Sequence, residues 1–80
     1  MKRTAVAPLA QLRRRVPWTQ GELAAAAGVA VGTVRAIERG VHPTVRPRVM
    51  RALAAALGVA PATVAEFRPS LGLAPDSPPG

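Results

Sequence analysis

This sequence predicts an all-α fold, a compact bundle of five short helices in one small domain, and three observations predict it. Seventeen alanines stand beside many leucines and valines. Apolar residues recur at three- and four-residue spacing, the period of a helix with one buried face. Glycine or proline punctuates the chain where such helices would end. A length of 80 residues fits one domain. A chain this short buries only ~60% of its unfolded surface, so its core must be packed economically.

Residues 1–5 form an N-terminal arm, 6–68 the helical domain and 69–80 a Pro-rich flexible tail. The first helix, about Val6 to Arg15, spaces Leu9 and Leu12 three apart, with Val16 four further on. Pro8 is tolerated in a first turn, and Val16-Pro17 forces a break. Thr19 then caps a helix from Gln20 to Ala27, and Glu22 completes a capping-box pattern. That helix buries Leu23 and Ala27 and stops at Gly28, a residue suited to a left-handed terminus. The next, Val31 to Arg39, carries Val34 and Ile37 on one face and ends at Gly40. After a loop from Val41 to Arg46, Pro47 suits a first helical position. Val49, Leu53 and Leu57 follow every four residues, with Met50 beside them, until Gly58. A fifth helix, about Pro61 to Phe67, offers Val64 and Phe67 as its buried pair, with Ala60 just before it. From Arg68 to Gly80 the chain holds four prolines and two glycines and no apolar period, the composition of a disordered tail.

Composition excludes several functions. No cysteine is present, so disulfides and thiolate zinc sites are absent. A single histidine and four scattered acids make no metal cage and no acid–base pair, and no cofactor is implied. No apolar run approaches the ~18 residues of a spanning helix, and the N-terminus does not resemble a signal peptide. A cytoplasmic, non-enzymatic domain is the expectation. The net charge of +7 invites an anionic partner, nucleic acid first among them. Ten of the eleven cations are arginine, a bias that a GC-rich genome also produces, so the pattern of residues must identify the partner.

That pattern lies between Gln20 and Gly40. Two short helices crossing steeply through a tight turn need a glycine in the turn, here Gly28. They also need a small side chain at the crossing, here Ala24. Apolar residues must flank both, as Leu23, Ala27, Val29, Val34 and Ile37 do. These constraints are met together at fixed offsets, which describes a helix-turn-helix.

The residues resemble the Cro- and phage-repressor-like (XRE-type) helix-turn-helix family over about Leu9 to Phe67. The likeness rests on Leu12-Arg13, Trp18-Thr19-Gln20, Leu23-Ala24, Gly28-Val29 and Val34. It continues through Ile37-Glu38-Arg39-Gly40, Pro43 and Leu53-Ala54-Ala55-Ala56-Leu57-Gly58-Val59. The resemblance implies a lambda-repressor-like bundle whose third helix, about 31–39, enters the DNA major groove. By the same resemblance Thr19 and Gln20 meet a backbone phosphate, where a helix N-terminus favours an anion. Val31, Gly32, Thr33, Arg35 and Ala36 face bases, and Arg39, His42 and Arg46 follow the DNA backbone. Arg13 is matched with Glu38 as a structural ion pair. Relatives often carry Gln or Ser where Val31 and Gly32 stand. Thr33 and Arg35 are then the hydrogen-bonding base readers, Arg35 with a guanine, and Val31 and Ala36 suit a thymine methyl. The loop from Gly40 to Pro47 is slightly longer than is usual among relatives.

Other residues keep two readings. Arg14 and Arg15 are solvated or lie near phosphate. Trp18 packs as a staple or stacks on a base. His42 is a surface loop residue or touches phosphate. Arg48 and Arg51 share a helix face, solvated or facing DNA. Phe67, Leu71 and Leu73 cover the core or form a dimer patch. The function indicated first is a sequence-specific transcriptional regulator binding double-stranded DNA as a homodimer, the chain being a stand-alone domain. The alternative is an antitoxin or adaptor of the same fold, meeting a protein partner through its last helix and tail. A membrane-active peptide fits poorly, because the cations are spread over several short helices.

Overall fold

The computed structural model describes residues 6–41 and 45–72. The arm at 1–5, His42, Pro43 and Thr44, and the tail from 73 onward lie outside the described residues. Four α-helices form the body: α1 (Leu9–Arg15), α2 (Gln20–Ala27), α3 (Val31–Glu38) and α4 (Pro47–Leu57). Packing runs chiefly through α2, which lies against both α3 and α4, while α1 meets α3. The core comes from Leu9 and Leu12 of α1, Leu23 and Ala24 of α2, Val34 and Ile37 of α3, and Met50 and Leu53 of α4. Val64 and Phe67 close it from the C-terminal side.

Local chemistry accounts for the helix ends. Thr19 Oγ1 accepts a hydrogen bond from the Glu22 amide at 3.1 Å, and the Thr19 amide donates to Glu22 Oε1 at 2.7 Å. Two orphan donors of the α2 N-terminus are thereby satisfied. Gly28 follows α2 at φ 71°, and the Val29 amide returns to the Ala24 carbonyl at 3.0 Å. This is the Schellman closure that a left-handed glycine permits. Gly40 and Gly58 close α3 and α4 in the same way, at φ 73° and 70°.

A fifth α-helix does not form. Pro61–Thr63 and Ala65–Phe67 are separate 3-10 turns, with Val64 extended between them at φ −85° and ψ 117°. The cause is a pairing with the other end of the chain. The Ala7 amide donates to the Thr63 carbonyl at 3.0 Å, and the Ala65 amide donates to the Ala7 carbonyl at 2.9 Å. This parallel bridge between Ala7 and Val64 takes groups that an α-helical ladder would need. It also ties up the backbone of Ala7 outside any helix, so α1 starts at Leu9 rather than Val6, with Pro8 as its N-cap.

Burial and the C-terminal segment add further detail. Val16 is 37% exposed, because α1 ends at Arg15 and its side chain leaves the buried face. Ala60, just before the first of the C-terminal 3-10 turns, is exposed. Ala7 and Val45, in segments without helical period, are buried at 3% and 2% exposure. Pro69–Leu71, expected in the tail, forms a 3-10 turn, and Ser70 Oγ accepts from the Val45 amide at 3.3 Å. Among the described residues no helix is long and apolar enough to cross a membrane.

Candidate nucleic-acid interface

Three helices are tied at one carboxylate. Arg13 Nε meets Glu38 Oε2 at 2.7 Å and Arg13 Nη2 meets Glu38 Oε1 at 3.0 Å, a bidentate pair of the kind the guanidinium fork suits. Arg13 Nη1 also donates to the Trp18 carbonyl at 2.8 Å, and Gln20 Nε2 donates to Glu38 Oε1 at 3.0 Å. The two charged side chains are 12% and 7% exposed. α1, the entry to α2 and the C-terminal turn of α3 are therefore held in one arrangement. Burial alone would push the Glu38 carboxyl up. The hydrogen bonds from Arg13 and Gln20, with the charges of Arg13 and Arg14, outweigh it and hold the carboxyl below its ordinary range. The same hydrogen bond to Glu38 raises Arg13 against its own burial.

With 3.6 residues per turn, the buried pair Val34 and Ile37 fixes what α3 presents outward. Gly32, Arg35 and Arg39 are exposed, Ala36 is half-buried, and the four form a stripe opposite the core. On one flank Thr33, Val45, Arg46 and Val49 line a groove of about 290 Å³ between α3 and the start of α4. Arg46, at the α4 N-cap, and Arg48 stand at an N-terminus with no acidic residue in its first turn. Arg35, Arg39, Arg46, Arg48 and Arg51 are exposed. The ion pair recorded among the described residues is Arg13–Glu38, so these five arginines carry their charge into solvent.

A short α2, a left-handed glycine turn and an α3 packed against α2 with a basic outer stripe now stand together. The family model described as a helix-turn-helix domain matches residues 6–67. The chain belongs to the helix-turn-helix domain family. This agrees with the XRE-type resemblance, and membership points to DNA binding by a regulator. No curated protein and no solved structure matched the chain.

In this helix-turn-helix protein the residues expected at DNA fall into distinct positions. Gly32, Arg35 and Ala36 share the outer stripe of α3, with Arg39 at its C-terminal end. Val31 is half-buried and packs against the core, and Thr33 turns toward the Arg46 groove. Thr19 is exposed at the α2 N-cap. The Gln20 amide, expected at phosphate, points back to Glu38. Glu22, absent from the expected site, places an exposed carboxylate in that same first turn. Arg46 borders the groove, and His42 lies outside the described residues. Sequence reasoning missed two supports. Glu66 Oε1 accepts from the Leu9 amide at 2.8 Å, capping α1 from across the molecule where Pro8 has no side-chain oxygen to offer. Ser70 holds Val45, at the groove floor, through its amide. Among the described residues no group of three or more His, Cys, Asp or Glu side chains could hold a metal ion.

Proposed function

We propose that the protein is a sequence-specific DNA-binding transcriptional regulator that inserts α3 into the major groove. The observation that carries this is the outer stripe of α3, Gly32, Arg35, Ala36 and Arg39, on a helix anchored by Arg13, Glu38 and Gln20. Arg35 reads a guanine edge through its two-pronged fork. Thr33 and Arg46, on the groove beside α3, and Arg39 take backbone phosphates. The Gln20 and Gly21 amides at the positive dipole end of α2, beside the Thr19–Glu22 capping box, take another. One such stripe touches too few bases to select a genomic site, so a homodimer on two half-sites ~34 Å apart, or a multiple, completes the reading. An intracellular location follows from that role.

The test is a fluorescence titration of duplex DNA across salt. Binding should weaken steeply, with a log–log slope of about −0.9 for each phosphate contacted. A palindrome recovered by selection from a random pool supports the dimer. A salt-independent affinity, or no duplex binding at low salt, overturns the reading. In that case the adaptor role becomes the working alternative.

A further inference from the structure

Gly32 stands in the first turn of α3, within its exposed stripe, and nothing among the described residues asks for a glycine there. The positive-φ glycines are Gly28, Gly40, Gly58 and Gly72, and Gly32 is not among them. Among the described residues, a Cβ placed on Gly32 would meet no atom within 4 Å. A helical glycine gives up more backbone entropy than alanine would. Here that burden falls on an eight-residue helix whose N-cap, Ala30, makes no side-chain bond. Such a short helix has little stability to spare. A glycine with no conformational and no steric cause within the fold fits a position where an outside group comes against the backbone.

We infer that Gly32 is a specificity-determining residue, where the 5-methyl group of a thymine rests directly on the α3 backbone. This deepens the proposed placement of α3 in the major groove and depends on it. Thymine is the base that projects a methyl into that groove, and the missing Cβ leaves room for one methyl. Arg35, three residues on, is then brought down to a guanine edge, because the helix sits one methyl deeper. A side chain at position 32 would hold the helix off. It would stretch the Arg35 hydrogen bonds, which need ~2.9 Å.

The test uses the intact chain and the duplex that it selects from a random pool. Each thymine in that duplex is replaced in turn by deoxyuridine, which lacks the methyl. Gly32→Ala should raise Tm by roughly 4 °C, as glycine removal from a helix does in a domain of this size. It should bind the thymine duplex about tenfold more weakly, the scale of one disturbed base contact. At one position per half-site the deoxyuridine duplex should restore most of that loss, since the alanine methyl fills the vacated space. Gly32→Ser, of similar reach, should show the same thymine-dependent loss. Full affinity of Gly32→Ala for the thymine duplex overturns the inference. So does a loss shared equally by the thymine, deoxyuridine and random-sequence duplexes. A wild-type chain that selects no sequence overturns the groove placement and this inference together, whereas selection with an unaffected Gly32→Ala overturns this inference alone.

Discussion

Glu38 gathers bonds from Arg13 and Gln20, and its depressed carboxyl makes stability depend on pH in a defined direction. The charged form is favoured by folding, so its contribution is present above the ordinary carboxylate value of about 4.3. It is lost as pH falls through the lower folded value. Glu38→Gln should therefore cost about 2 kcal/mol at neutral pH, the scale of hydrogen bonds to a charged group. In urea titrations the variant and wild type should converge as pH falls through the lowered Glu38 value, and a constant gap at every pH would contradict the assignment. Arg13→Ala should cost more, about 3 kcal/mol, because it strands a nearly buried charge. Arg35→Ala should erase the preference at one base-pair position while lowering affinity for random duplex far less. Of these side chains, the Arg13–Glu38 pair was legible from its place in the motif. Gln20 was not, because its amide turns to a carboxylate 18 residues away whose position the local sequence does not encode. The half-burial of Val31 was not legible for a related reason, since it depends on how α3 is seated against the core.

Among the elements, those with local signals were read closely. The Thr19–Glu22 box and the stops at Gly28, Gly40 and Gly58 act through atoms only a few residues apart. Residues 61–67 were read as a helix because Val64 and Phe67 have helical spacing, and both are indeed buried. Their backbone is diverted by Ala7, which no local pattern announces. The α1 terminus shows the same division of labour, since its cap comes from Glu66 across the chain. Glu66→Ala should destabilise the domain by about 1 kcal/mol, as loss of a helix cap does. Its effect should appear as faster amide exchange in α1, with exchange in α4 unchanged. Equal acceleration in both helices would show that Glu66 does more than cap α1.

At the scale of the whole molecule, the +7 charge divides into buried and outward parts. Arg13 is neutralised internally by Glu38, and Arg68 is buried at 8% exposure with its Nη1 on the Ala62 carbonyl at 2.9 Å. The arginines at 35, 39, 46, 48 and 51 remain outside. Arg39→Ala and Arg46→Ala should each reduce the magnitude of the salt slope by about 1 without changing the selected sequence. A slope unchanged in both variants would remove these residues from the backbone contact. The bridge from Ala7 to Val64, with the Leu9–Glu66 bond beside it, also bears on synthesis. The 57 positions separating Leu9 from Glu66 take roughly 3–11 s to translate at about 5–20 residues per second. For that interval the α1 segment is made but has no acceptor for its first amide, and the apolar faces of α2 and α3 precede the residues that cover them. Closure of this domain therefore waits for nearly its last core residue, and a nascent chain stalled before Glu66 should be open to protease while the finished one is not.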